Sequence, residues 1–308
     1  DFKYDFLFGN NLLTTFSEKE KLEIDKEHFF FEKKEFANKV LYDKFWPIDD
    51  IFNIKSSGIT TGRDHFVTDE SENVLKNRLK LFIYSDESIE NLKKLFELED
   101  RTDFNTTKAK QAIKFFDEKK IQKFHYKPFS ERFIYYDKKL ITRDRNSFME
   151  NFSKTNLALL VTRRQESRYF KNVFITDKIV NYSFFGVNTY VFPLWLYKQN
   201  GDAFNGNGNG KQRVSNLNSK MEKLLEKIYQ KENITEEIFY YIYAVLYSNT
   251  YRKSFPELLK IDYPKIPFTK NVEVFERLAK LGKELADLHL LKSEIGRASC
   301  RERVFRTV

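Results

Sequence analysis

The decapeptide GDAFNGNGNG at Gly201–Gly210 constrains this 308-residue chain more than any other segment. It holds four of the ten glycines in the sequence. Glycine loses the most backbone freedom on folding, so such a run predicts an exposed flexible connector rather than a helix or strand. The chain on its two sides has different periods. Between Ile121 and Tyr197 the apolar residues fall in short β-branched and aromatic runs, at Arg132–Tyr136, Leu157–Val161, Val173–Thr176 and Tyr190–Tyr197. These runs predict strands, and Pro193 turns part of the last into an edge or a bulge. Beyond the connector the period is helical. Met221–Gln230 predicts one short helix. Thr235 predicts the cap of the next, with Glu236 and Glu237 in its first turn and a stripe of Ile238, Ile242, Val245 and Leu246. Phe275, Leu278, Leu281, Leu285 and Leu288, three or four apart, predict a last helix. Ile261–Pro267, with two prolines, is held extended between them.

Upstream of the strands, Glu70–Tyr84, Asp86–Leu98 and Thr106–Lys120 carry helical spacing, and Ile51–Lys55 alternates like a strand. Residues 1–45 read as the end of an upstream region or as linker helices, closed by the break at Trp46-Pro47. The expected fold class is α+β. A mixed or antiparallel sheet region with helices spans 46–200, the connector 201–210, and a C-terminal helical region 211–291. The chain begins with Asp1 rather than Met and reads as cut from a longer frame. Glu294–Val304, EIGRASCRERV, can be encoded by a stretch resembling a sequencing-adapter read, so 294–308 is read as a non-native tail. The tail carries the only cysteine, Cys300, and its removal lowers the net charge from +9 to +7. Disulfides, thiolate metal sites and a cysteine nucleophile are then excluded together, which fits a cytoplasmic protein.

The sequence has no run of about 18 apolar residues and no secretory signal, so no membrane partner is expected. The positive charge points to a polyanion, although a low-GC genome favouring Lys, Asn, Phe, Tyr and Ile codons produces much of the same bias. Catalytic motifs are missing. No GxxxxGK[ST] phosphate loop or GxSxG elbow occurs, and His28, His65, His125 and His289 are never spaced as metal ligands. The Gly206–Gly210 run opens no dinucleotide helix, and Phe239, Tyr240, Tyr241 and Tyr243 are read as core.

Two constellations remain. Lys55, Ser56, Ser57, Gly58, Thr60, Thr61, Gly62 and Arg63 combine two glycines four apart with hydroxyls and cations, which suits phosphate oxygens and base edges. The plainer reading is a polar connection to the helix at Glu70. The second set interleaves cations and aromatics: Tyr126, Lys127, Arg132, Tyr135, Tyr136, Arg143 and Arg145, then Arg163, Arg164, Gln165 and Arg168. Arg and Gln can read guanine and adenine edges bidentately, or Arg and Lys can merely neutralise phosphates. The plainer reading here is a solvated face over a sheet.

Several segments together resemble one family. They are Phe45-Trp46-Pro47, SSGITTGRDHFVTD (Ser56–Asp69), KFHYKPFSERFIYYD (Lys123–Asp137), LALLVTRRQ (Leu157–Gln165), KNVFITDKI (Lys171–Ile179) and YVFPLWLY (Tyr190–Tyr197). The most telling are Glu236–Lys270 and LAKLGKELADLHLL (Leu278–Leu291). From Trp46 to Leu291 the chain is similar to the C-terminal specificity domain of type ISP restriction–modification enzymes. The GITTG piece also resembles target-recognition regions of other adenine-N6 methyltransferases, where Asn often stands in place of Asp64. The resemblance implies a non-catalytic recognition part of a long polypeptide. A nuclease, an ATP-driven translocase, a coupler and an adenine methyltransferase precede it, and the whole uses S-adenosylmethionine, ATP and Mg. None of these cofactors is expected on this part, which lacks the Asn-Pro-Pro-Tyr signature. The implied partners are double-stranded DNA and the upstream methyltransferase and coupler domains. Gly58, Thr60, Thr61, Gly62 and Arg63 are expected at the DNA-facing surface, Arg163, Arg164 and Gln165 as base readers, and Lys127, Arg132, Arg143 and Arg145 at phosphates. The alternative is a non-catalytic protein-interaction adaptor with a basic surface; an enzyme in its own right is disfavoured by the missing motifs.

Overall fold

Ser71, Ser88 and Asn105 each place a side-chain oxygen on a backbone N–H three residues ahead, at 3.4, 3.2 and 2.9 Å. Each bond satisfies one orphan donor at a helix start. These caps open α1 (Glu72–Tyr84), α2 (Ile89–Leu95) and α3 (Thr106–Ala112) in a computed structural model that describes residues 38–165, 167, 169–197 and 213–293. Leu75, Leu79 and Phe82 of α1, Leu92 of α2 and Phe96 just after it meet Phe66 and Tyr135 in one buried cluster. The third helix stops at Ala112, short of the expected Lys120, and Phe116 instead stacks on Tyr135 with ring centres 5.5 Å apart. Tertiary contact overrides the local helical spacing there. The run at Ile51–Lys55 is likewise not a strand. Ile48–Ile51 forms a helical turn whose two isoleucines, three apart, are both buried.

The strands are β1 (Trp46–Pro47), β2 (Ser56–Ser57), β3 (Thr68–Asp69), β4 (Ile121–Lys127), β5 (Ser130–Tyr135) and β6 (Ala158–Val161), followed by β7 (Val173–Thr176), β8 (Ile179–Val180), β9 (Tyr190–Pro193), β10 (Trp195–Tyr197), β11 (Arg213–Ser215) and β12 (Lys265–Ile266). One four-stranded sheet runs β2-β9-β6-β7 and is antiparallel throughout. The other runs β3-β5-β4-β8, antiparallel except for the β4/β8 pair. The expected α+β class, with mixed and antiparallel sheets, is what the chain forms. All four residues of β6 and of β7 are buried, so these strands read as continuous apolar runs. His125 ties the sheets together: its Nδ1 lies 2.7 Å from the Thr176 hydroxyl and its Nε2 3.2 Å from Glu131.

The two strands flanking the connector, β10 and β11, pair antiparallel with Tyr197 opposite Arg213. The helices that follow are α4 (Ser219–Tyr229), α5 (Thr235–Tyr247) and α6 (Val272–His289). Thr235 is the first helical residue rather than the cap, and its hydroxyl donates to Glu222. An added Cβ at Gly282 of α6 would lie 1.9 Å from the Tyr240 carbonyl oxygen, so only glycine lets α6 approach α5 this closely. Of the α5 aromatics read as core, Phe239, Tyr241 and Tyr243 are buried and Tyr240 is half-buried. Tyr247 donates to the Val173 carbonyl of β7 at 2.6 Å, which fastens α5 to a sheet, and Phe239 meets Phe52 edge-on after the Ile48–Ile51 turn. The described residues from Asn38 onward form one compact unit. Most of the 1–45 piece, the Gly201–Gly210 connector, Arg168 and the tail from Glu294 lie outside the described residues.

Candidate nucleic-acid interface

The segment Ser56–Arg63 threads between the two sheets. Ser56 and Ser57, as β2, pair with Val191 and Tyr190. Gly58 and Ile59 then turn to the β8–β9 connection: Gly58 N–H donates to the Thr189 carbonyl at 3.1 Å, Ile59 N–H to Val180 at 2.9 Å, and Tyr182 N–H to Ile59 at 2.7 Å. A Cβ at Gly58 would sit 2.6 Å from the Asn181 carbonyl carbon and oxygen. The glycine is therefore required by a close backbone approach. Thr60 and Arg143 exchange backbone bonds at 3.0 and 2.9 Å. Gly62 has φ +74°, and a Cβ there would meet the Thr142 hydroxyl at 2.1 Å. The Thr61 hydroxyl donates to Asp64, and Asp64 also accepts from Tyr126 at 2.8 Å.

Arg63 is buried, with 7% of its surface exposed, contrary to the expectation that it faces DNA. Its guanidinium donates to the Leu140 and Thr61 carbonyls, lies 3.6 Å from Asp103 and sits 3.8 Å over the Phe104 ring. Burial lowers its pKa from the usual arginine value, and Asp103 opposes that shift. A planar fork fits this set of partners and an ammonium does not. Arg63 holds the loop in shape. Gln165 is also buried, at 6% exposure. Its Oε1 accepts from the Lys171 and Asn172 amides at 2.9 and 3.3 Å, closing the turn after β6.

The remaining predicted residues divide by partner. Lys55 is exposed, paired with Asp49 at 3.2 Å and 4.6 Å over Tyr263. Arg163 makes a bidentate pair with Asp262 at 2.7 and 3.2 Å. Lys127 donates to the Ser183 carbonyl. Arg132 lies 4.1 Å over Tyr126 and 3.7 Å from Glu70. Arg145 reaches the Ser57 hydroxyl at 3.3 Å, which places a residue from each predicted set side by side. Arg143 and Arg164 are exposed and have no ion pair among the described residues. Tyr190, the β9 partner of Ser57, also lines a groove of about 400 Å³ with Arg163, Arg164, Lys171, Asn172, Val187 and Asn188. Lys171, Val187 and Asn188 were not singled out as site residues from sequence; the glycine turn Gly186-Val187-Asn188 ahead of a strand was the available signal.

A family model described as the Type ISP C-terminal specificity domain matches residues 50–306. The chain belongs to this family. Solved structures share the fold of this specificity domain. A DrdV–DNA complex determined by cryoEM superposes with a TM-score of 0.66 at 23% identity, over 89% of this chain and 28% of that one. A nuclease-deletion mutant of the Type ISP restriction-modification enzyme LlaGI, in complex with a DNA substrate mimic, gives 0.60 at 20% identity over 87% and 25%. The ATP-dependent Type ISP restriction-modification enzyme LlaBIII bound to DNA gives 0.63 at 21% identity over 91% and 18%. This specificity domain thus spans between about a fifth and about a quarter of the chains it resembles. No curated protein matches the sequence. Among the described residues no three His, Cys, Asp or Glu side chains converge on a metal position, and no helix is long and apolar enough to cross a membrane.

Proposed function

We propose that this chain recognises a specific sequence in double-stranded DNA for a type ISP restriction–modification enzyme, in the cytoplasm. The observation that carries the reading is the junction at Ser57, Thr60, Arg143 and Arg145. There the glycine-bounded loop and a distant basic segment are joined by backbone and side-chain hydrogen bonds. Asp49 is engaged by Lys55, Asp262 by Arg163, Asp64 by Thr61 and Tyr126, and Asp103 by Thr142 and Arg63. Arg143 and Arg164 are left to meet a polyanion. Phosphate contacts of this kind fix register, and base-edge contacts then specify sequence. S-adenosylmethionine, ATP and Mg would serve the methyltransferase, coupler and translocase parts of the longer enzyme. Those parts would extrude and methylate adenine N6 while this domain grips the duplex, offsetting the few kcal/mol of unstacking.

Selection of the 308-residue chain on a random-sequence duplex pool at near-physiological salt tests the reading. Enrichment of one defined motif supports it. Salt-sensitive retention with no enriched motif overturns it and favours a protein-interaction adaptor with a basic surface.

A further inference from the structure

The glycine-bounded segment contacts another loop more intimately than it contacts solvent. Gly58 and Ile59 bond to both ends of the β8–β9 connection, at Val180, Tyr182 and Thr189. The connection is also pinned from within. Ser183 N–H donates to the Asn181 side chain at 2.9 Å, Gly186 N–H to the Ser183 carbonyl at 2.9 Å, and Thr189 N–H to Tyr182 at 2.8 Å. The Thr189 hydroxyl, fully buried, receives Phe185 N–H at 3.3 Å and donates to Val187 at 3.1 Å. Lys127 Nζ holds the Ser183 carbonyl from the β4–β5 hairpin. From Ser183 to Val187 the tip of the connection is thus held at alternate residues by bonds to Asn181, Thr189 and Lys127, a rigidity that suits a recognition element.

What the tip presents is not what a surface turn needs for its own stability. Val187 is 40% exposed. Asn188 carries a buried Oδ1 with no hydrogen-bond partner, and it lines the groove opposite Arg164 and Lys171. An apolar branched side chain suits the thymine methyl, and a carboxamide suits the donor–acceptor edge of adenine. The flanking cations, Arg164 and Lys171, have no ion pair among the described residues and suit phosphates.

We infer that the tip Ser183–Asn188 is the base-reading element of this domain, with Val187 and Asn188 its specificity-determining side chains. Arg164 and Lys171 set the duplex against it. Gly58 and Ile59 are the plate on which the tip is positioned. The inference rests on the DNA-recognition reading and assigns base reading to Val187 and Asn188, which lie outside the two sets marked by sequence.

The test uses the full chain and the duplex pool described above, comparing wild type with Val187→Ala, Asn188→Ala and the double variant Arg164→Ala/Lys171→Ala. Val187 bonds to the fold through its carbonyl and the Asn188 Oδ1 has no hydrogen-bond partner, so their variants are expected to keep the wild-type thermal melt. On the wild-type motif each tip variant should lose affinity about 5- to 100-fold through relaxed preference at one or two base positions, with binding to unrelated duplex unchanged. The double cation variant should weaken binding to every duplex alike and reduce the slope of log affinity against log salt by about two. A wild type that enriches no motif removes the DNA-recognition reading itself. A wild type that enriches a motif which both tip variants then select with unchanged affinity overturns the assignment of the tip and leaves that reading standing.

Discussion

The loop at Gly58–Arg63 and the rim formed by Arg163, Arg164, Lys171, Asn172 and Ser183–Asn188 draw on glycine, hydroxyls and arginine alike, yet the fold uses them differently. In the loop the hydroxyl of Thr61, the guanidinium of Arg63 and both glycines are consumed by the protein. On the rim Arg164 and Lys171 have no ion pair among the described residues, Val187 is open to solvent, and Asn188 lacks a partner for its Oδ1. The difference teaches that a motif with a recognisable spelling can be the framework of a binding surface while the neighbouring, less legible residues supply its contacts. Its physical basis is the cost of leaving buried polar groups unpaired, which drives a central loop to saturate its own hydrogen bonds.

The largest expected effect breaks the comparison if it fails. Arg63→Ala removes donors from the Leu140 and Thr61 carbonyls and empties the space over Phe104. It should cost roughly 2–4 kcal/mol of stability in urea denaturation. Arg63→Lys should recover little, because an ammonium cannot fork across those partners. Unchanged stability together with lost DNA binding would show that Arg63 leaves its pocket for DNA, and the two regions would then be alike.

Gly58→Ala comes next. The added methyl meets the backbone of Asn181 and Tyr182 rather than a movable side chain. A loss of roughly 1–3 kcal/mol is expected, with a changed hydrogen-exchange rate at the Tyr182 and Thr189 amides. A melt and exchange pattern equal to wild type would mean that the plate and the tip are uncoupled.

A smaller effect separates the floor from the rim through pH. His289 lies on the floor of the cleft that also contains Lys127 and Lys171, stacked at 5.4 Å on Phe174 with Nδ1 2.5 Å from the Tyr243 hydroxyl. Burial holds its pKa below the usual histidine value. The folded state therefore favours the neutral ring, while the unfolded chain takes a proton near pH 6.5. Stability from this group is full above that value and falls as the pH drops through it. His289→Phe should flatten the stability profile below about pH 6.5, on top of a constant offset for the lost Tyr243 hydrogen bond. An unaltered slope would mean that the ring is accessible to protons in the folded state. Glu131 acts further down the scale in the same direction. The His125 hydrogen bond, and then Lys178, hold its carboxyl far below the usual range, so its contribution is full above the ordinary glutamate range near about pH 4.3, falls as the pH drops through it and is gone once the pH passes the depressed folded value.

Much of the architecture was legible because period and turn chemistry agree with tertiary packing. The strands at 157–161 and 173–176 are such places. Legibility failed where tertiary contact decided. Ile48–Ile51 is helical because two isoleucines three apart reach the core, and the chain after Ala112 leaves the helix to stack Phe116 on Tyr135. The strand at Ile121–Lys127, absent from the predicted runs, carries few apolar residues and owes its place to pairing on both sides. The connector read as a domain boundary is flanked by two strands that pair with each other, a long-range fact that composition cannot hold. For the candidate site, residue type was readable and exposure was not. Nothing local distinguishes Arg63, buried against Leu140 and Asp103, from Arg143, which emerges beside Thr60.

That last pair gives the finest test of the comparison. Arg143 joins Thr60 through backbone groups alone, so Arg143→Ala keeps both bonds and removes only an exposed side chain. Stability should stay within about 0.5 kcal/mol of wild type. Binding to duplex DNA should weaken on every sequence to a similar extent, with the salt slope reduced by about one, since a phosphate contact releases one counterion and carries no base information. A loss confined to one motif position would instead make Arg143 a base reader and extend the reading surface from the rim to the junction with Ser57. A stability loss approaching that of Arg63→Ala would place Arg143 in the framework.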